Sequence, residues 1–359
     1  MIGGKLLATG SSSCIFHPNF PCHSRETIKE DKITKIIYDK KSLQSLNKEK
    51  KINEIVQSIP GYQKWSIVYD ELCKTPSRDK LYEYDKEGMY GCEDGMKRSE
   101  DVISINESYM LNGRFGGITL DNYFKEKMTD KRNIQSDFLS LMNMMKPLFL
   151  GLKSMGSHNL IHNDIKGGNI VKDKNTFKYI DFGLTDKISR VIHFKKRSIS
   201  EFKTNRIYLP YSHEYIYSNI PAKDLYKEIN FERRNLDRFM DLCSLFNRDY
   251  ESIHELIIHK STLKTNTFKD LIRGIDTYSL GVLIPLLFLS NYGYEDTVEL
   301  LDKYAIIDDF FYLFEQMNEP LYEDRISSQE AYHLFSKLVR KYNPQKKRNK
   351  TKRKKRGRK

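Results

Sequence analysis

"HNDIKGGNIV", residues 162–171, places His162, Asp164, Lys166 and Asn169 within eight positions, and "IDFG" at 180–183 adds a carboxylate at Asp181. These are the groups that phosphoryl transfer needs, since that reaction asks the protein for positioning and charge neutralisation rather than covalent chemistry. Asp164 suits the base that orients an attacking hydroxyl, and Lys166 suits the cation that balances the moving phosphoryl group. Asn169 and Asp181 are oxygen ligands for Mg2+. The stretch between them, "NIVKDKNTFKYI" (169–180), reads as a small hairpin with Asp173, Lys174 and Asn175 as turn formers, so both ligands are expected at one mouth.

H-x-D-x-K-x-x-N followed by D-F-G clearly resembles the eukaryotic-type protein kinase superfamily. The resemblance implies an α+β, two-lobed fold with a β-rich N-lobe over 1–112 and a mainly helical C-lobe over 113–342. It also implies ATP and Mg2+ as cofactors and transfer of the γ-phosphoryl group to a protein hydroxyl. Lys166, two residues after the catalytic aspartate, resembles the serine/threonine subclass.

Other parts of the chain resemble the same family in the same order. "LATGSSSCI" (7–15) stands where kinases carry a glycine-rich turn over the nucleotide, which nominates Leu7, Ala8, Gly10, Ser11, Ser13 and Ile15. Ala8 and Ser13 replace the outer glycines, which reduces backbone freedom at the phosphates. Lys35 in "ITKII" resembles the lysine that holds the α- and β-phosphates, and Leu111 in "YMLNGRFGG" resembles the gatekeeper before Asn112–Phe115 along the adenine edge. The lysine needs a glutamate from the following helix. Relative to the apolar face of Ile52, Ile55, Val56 and Ile59, Glu49 lies roughly 70° away and Glu54 roughly 150°, which selects Glu49. By the same resemblance Glu214 in "YLPYSHE" pairs with Arg325, and Asp276 braces the catalytic loop. Asp164→Ala and Lys35→Ala are each expected to abolish transfer and leave the fold intact.

The chain also departs from the family. Asn163 replaces the arginine usually found before the catalytic aspartate, and a long segment between Glu214 and Asp276 implies an insertion at about 216–270. "CIFHP", "IVQSIPGY" and the tyrosine-rich run before Glu214 resemble kinases of large nucleocytoplasmic DNA viruses. That implies an intracellular protein of the host cytoplasm, nucleus or virion. The rival readings are a pseudokinase scaffold that binds nucleotide or partners without catalysis, and a small-molecule kinase that shares the H-x-D-x-x-x-x-N spacing.

Composition limits the remaining classes. The chain has 359 residues, enough for two cores, with 39% hydrophobic and 12% aromatic residues. Its formal charge is +13, but residues 346–359 hold eleven Lys or Arg and no acid, which leaves the rest at +2. Affinity for nucleic acid or an acidic partner is therefore expected of a disordered basic tail over 343–359, and not of the body. No uninterrupted apolar run reaches eighteen residues, so no membrane partner is expected. The five cysteines are odd in number, irregularly spaced and contain no C-x-x-C, so neither disulfides nor a zinc site is expected, and a reducing compartment is.

The periodicity predicts strands over 5–16 and 32–38, one helix over 42–59, a strand over 101–111 and a polar connector over 112–117. A stripe from Ile134 to Met155 predicts an amphipathic helix kinked or broken at Pro147. Mixed sequence fills much of 184–270, and helices resume to about 342.

Overall fold

The computed structural model describes residues 4–9, 13–22, 28–37, 42–96, 108–203, 208–221, 224, 233–259 and 265–343. Gly10 and Ser11 of the candidate loop, the stretch 101–107, parts of the 216–270 segment and the basic tail lie outside them. The fold is mixed α+β, with helices predominating and one five-stranded antiparallel sheet. The chain divides into two compact units, one formed by residues 1–117 with 180–185 and the other by 118–179 with 186–359.

The first unit is built on β1 (Lys5–Thr9), β2 (Ser13–His17), β3 (Lys32–Ile37), β4 (Tyr69–Lys74) and β5 (Tyr109–Arg114), in the order β1-β2-β3-β5-β4. Alternation along the strands separates its two faces. Cys14, Phe16, Ile36 and Met110 share one face with Leu81 of α2 (Arg78–Tyr84) and with Met89 and Cys92 of α3 (Lys86–Met96). The opposite parity carries Ile15, Lys35 and Leu111 directly across from one another, with Ala8 beyond Ile15 and Leu72 beyond Leu111. Leu46 of α1 (Ser42–Ser58) packs with Ile37 and Leu111 on that side.

Three expectations for this unit are corrected. Its described residues hold three α-helices rather than one, because α2 and α3 cover the second apolar face of the sheet. The strand continues through Asn112, Gly113 and Arg114, so the connector begins later than residue 112. Asn112 is buried, accepts from Thr34 Oγ1 at 2.6 Å and donates to the Phe20 carbonyl at 3.3 Å, so it braces the sheet from within.

The cysteines are the third correction. Cys14 is bonded to Cys92 and Cys22 to Cys73, while Cys243 is a buried free thiol. The partners are 78 and 51 residues apart and meet only because β2, β4 and α3 converge on one face. Linear spacing carries no trace of that. Each bridge removes loop-closure entropy from the unfolded chain, and reduction is expected to cost about 2–4 kcal/mol per bridge. Denaturing the never-reduced protein in a thiol reagent should reveal Cys243 alone. Five reactive thiols would rule the bridges out.

The second unit begins with α4 (Leu120–Lys127) and α5 (Ile134–Ser157). Ile134, Phe138, Leu141, Met145, Leu148, Leu152 and Met155 are all buried, as the stripe predicts. The helix nevertheless runs as one 24-residue element through Pro147, so the expected break is absent. An interior proline costs about 3 kcal/mol, whereas each buried Leu, Met or Phe contributes about 1.5–3 kcal/mol, and packing on both sides of Pro147 wins. After α5 come β6 (Leu160–Ile161), paired with β9 (Asp186–Lys187), and the hairpin of β7 (Ile170–Asp173) and β8 (Thr176–Tyr179).

Residues 184–270 are more regular than expected. They include α6 (Val191–Lys203), α7 (His213–Tyr217), α8 (Arg233–Leu245), α9 (Tyr250–His259) and the start of α10 (Thr265–Tyr292). Phe194, Tyr211, Tyr215, Tyr217, Phe268 and Ile272 form one buried cluster there, so aromatic bulk compensates for the polar composition. The apolar stretch "YSLGVLIPLLFLS" lies in α10. Within that helix, residues Thr267–Tyr292 are long and apolar enough to cross a membrane by composition, and 78% of their most apolar window is buried inside the protein. Phe288 on α10 meets Phe138 of α5 and Phe311 of α12 (Ala305–Met317) edge to face. α11 (Tyr294–Lys303) precedes α12, and α13 (Ser328–Tyr342) follows it, with Phe335 of α13 stacked on Phe149 of α5.

Candidate functional site

In the first unit, three of the nominated residues converge. Lys35 Nζ lies 2.9 Å from Asp181 Oδ1 and 3.3 Å from Glu49 Oε2. β3 presents the lysine on the face that α1 covers, and the helical period of α1 turns Glu49 inward while Glu54 stays exposed. The Lys35 and Glu49 side chains are 8% and 3% exposed, so this pair is desolvated, whereas Asp181 is 37% exposed. Burial works against the Lys35 ammonium, but the Glu49 and Asp181 carboxylates outweigh it and hold its pKa above the ordinary lysine value. Asp181 sits in the left-handed region at φ +60°, and its Oδ1 also accepts from the Gly183 N–H. Aspartate tolerates that conformation better than most residues.

The other nominated residues of this unit line the same strands. Leu111 is buried opposite Lys35, Ile15 and Ser13 are half-buried on β2, and Leu7 and Ala8 are exposed on β1. Tyr69 was not nominated, yet its ring lies 5.7 Å from the Lys35 ammonium. Nothing local in "YDELCK" marks it.

The second unit holds the remaining residues on the loop between β6 and β7. Asp164 Oδ2 accepts from Asn169 Nδ2 at 2.7 Å and from Lys166 Nζ at 3.0 Å. Asn169 Nδ2 also donates to the Asp164 carbonyl at 2.9 Å, which closes the loop on itself. Asp276 on α10 accepts from the backbone N–H groups of His162 at 2.6 Å and Asn163 at 2.9 Å. These are bonds to a buried carboxylate, roughly twice as strong as neutral ones, and they fix the strand exit before Asp164. Asn163 takes φ +61°, a conformation asparagine adopts readily, and its carbonyl accepts from Tyr211. A Cβ at Gly167 would lie 1.7 Å from Asp121 Oδ1, so a larger residue there needs the Asp121 side chain to move.

Glu214 and Arg325 lie 3.8 Å apart with both side chains nearly fully buried. Arg325 also donates to the Glu319 carbonyl at 2.7 Å, and the Tyr322 N–H donates to Glu214 at 2.8 Å. Tyr208 is a second residue that sequence reading missed. Its hydroxyl donates to Asp164 Oδ1 at 2.8 Å from 44 positions away. The tyrosine density of "YLPYSHEYIY" was visible, but which hydroxyl reaches the loop was not.

Asp181 in the first unit carries a carboxylate, and Asn169 in the second has its amide oxygen to offer, since its nitrogen is committed to Asp164. Both are hard oxygen donors of the kind Mg2+ prefers. Among the described residues, no group of three or more His, Cys, Asp or Glu could hold a metal by itself.

No protein-family model matches this chain, and no curated protein matches it either.

Proposed function

We propose that the chain is an ATP-dependent serine/threonine protein kinase with the two-lobed fold of that superfamily. The observation that supports it most is the convergence of Lys35, Glu49 and Asp181 on one buried ammonium, with Lys35 and Asp181 separated by 146 positions. A surface lysine has no physical reason to be buried between two carboxylates, and a lysine that must meet phosphate oxygens in a fixed place does.

In this reading Lys35, oriented by Glu49, holds the α- and β-phosphates. Ile15 and Leu111 offer apolar contact to the base, and the strand residues Leu7, Ala8 and Ser13 lie on the phosphate side. Asp164 accepts the proton of a serine or threonine hydroxyl as its oxygen bonds to the γ-phosphorus. The bond from that phosphorus to the bridging oxygen breaks, and ADP leaves with the electron pair. Lys166 balances charge on the moving phosphoryl group. Asn169 and Asp181 would hold Mg2+, which neutralises the phosphate oxygens when bound.

The two disulfides add a condition to the intracellular placement, because cytosolic thiols are kept reduced. The proposal therefore includes a more oxidising site of assembly or action.

A nucleotide-binding scaffold without turnover is the second reading. It is favoured by the hydrogen bond that Asp164 already receives from Tyr208, a residue outside its own loop. Incubation with γ-labelled ATP, Mg2+ and a basic protein acceptor separates the two. The kinase reading expects Mg2+-dependent phosphoserine or phosphothreonine. ATP binding with no label transferred to any protein would leave the scaffold, and transfer only to small molecules would move the chain to that class of kinase.

A further inference from the structure

The carboxylate of Asp164 is already engaged at both oxygens. Oδ2 accepts from Asn169 at 2.7 Å and Lys166 at 3.0 Å, while Oδ1 accepts from Tyr208 at 2.8 Å and Lys166 at 3.2 Å. A carboxylate offers about four acceptor directions, so a further hydroxyl finds none open. Lys166 and Asn169 are parts of the same loop and belong to the machinery. Tyr208 comes from a different segment, and it brings a neutral hydroxyl, the same chemical group as a phosphate acceptor.

We propose that Tyr208 occupies the acceptor position, its hydroxyl standing in for the substrate hydroxyl until a protein substrate displaces it. The inference rests on the kinase reading above. The residue is held for this role by a tight turn, since the Tyr211 N–H donates to the Tyr208 carbonyl at 2.8 Å. Ser279 on α10 donates to the Pro210 carbonyl at 2.6 Å, and the Tyr211 hydroxyl donates to the Asn163 carbonyl. The Tyr208 and Tyr211 rings meet edge to face with centroids 4.9 Å apart. These anchors fix the backbone of 210–211 and leave displacement to the Tyr208 side chain. Burial first, and then the Asp164 carboxylate, push the Tyr208 hydroxyl far above the ordinary tyrosine range, so it stays protonated and remains a donor.

An internal occupant acts as an intramolecular competitor of the acceptor alone. It raises the apparent KM for the protein substrate by the inverse of the vacant fraction and leaves kcat at saturation unchanged. Tyr208→Phe keeps the ring and removes the hydroxyl. Its KM for the acceptor should fall about fivefold or more, with kcat and the KM for ATP within twofold. Tyr208→Ala also vacates the position and should show the same direction, which guards against a packing effect of the phenyl ring.

An unchanged KM with a lowered kcat would overturn the proposal and make Tyr208 a residue that positions the base. A wild type and Tyr208→Phe that both bind ATP but phosphorylate no acceptor would overturn the kinase reading itself, and the acceptor position with it. Activity in the wild type with an unchanged acceptor KM in both variants overturns the occupancy alone.

Discussion

Asp164→Ala should reduce phosphoryl transfer by about 10²–10⁴-fold, equivalent to about 3–5 kcal/mol of transition-state stabilisation. Affinity for ATP should change little, because the proposed kinase reading puts Asp164 on the acceptor side of the chemistry. The fold should survive. The loop keeps its brace, since the His162 and Asn163 N–H groups bond to Asp276 and not to Asp164. Asp164→Asn is the sharper variant: it preserves shape and some of the bonds to Lys166 and Tyr208, and it removes the proton acceptor. Initial rates from γ-labelled ATP, with unfolding curves on the same preparations, check both points. An Asp164→Ala protein within tenfold of wild type would end the role assigned to this residue.

The second large effect concerns Lys35, and here the structure corrects the expectation from sequence. Removing a lysine from an exposed strand would leave the fold intact, but Lys35 and Glu49 are 8% and 3% exposed. Breaking a buried pair by deleting one partner costs about 3–5 kcal/mol, because the other charge remains in a low dielectric. Burial already pushes the Glu49 carboxyl above its ordinary value, so without Lys35 it takes up a proton or the unit opens. Lys35→Met should therefore lose activity and stability together. Lys35→Met with Glu49→Leu replaces the pair by apolar volume and should recover most of the stability, with no recovery of transfer. Unfolding free energies of the two single variants and the double variant provide the measurement. A Lys35→Met protein as stable as wild type would show that the pair is not desolvated in solution.

The sequence determined what depends on local chemistry and short periods. The order of Asp164, Lys166 and Asn169 fixes which groups can share one loop, because six residues cannot spread far. The helical period placed Glu49 inward and Glu54 outward on α1, and the buried stripe of α5 was legible from Ile134 to Met155. The hairpin after Asn169 followed from its turn residues, and the structure registers Ile170 against Tyr179. Other decisions belonged to the tertiary structure. α5 continues through Pro147 because burial of its flanks outweighs one lost bond, and a local rule cannot weigh burial. The cysteines pair because one sheet face gathers them from 78 and 51 residues away. Tyr208 reaches Asp164 across 44 positions for the same kind of reason. Sequence spacing encodes contacts within a turn or two of the chain. Which distant side chains share a face depends on how sheets and helices stack, and that is settled only when the apolar faces find each other.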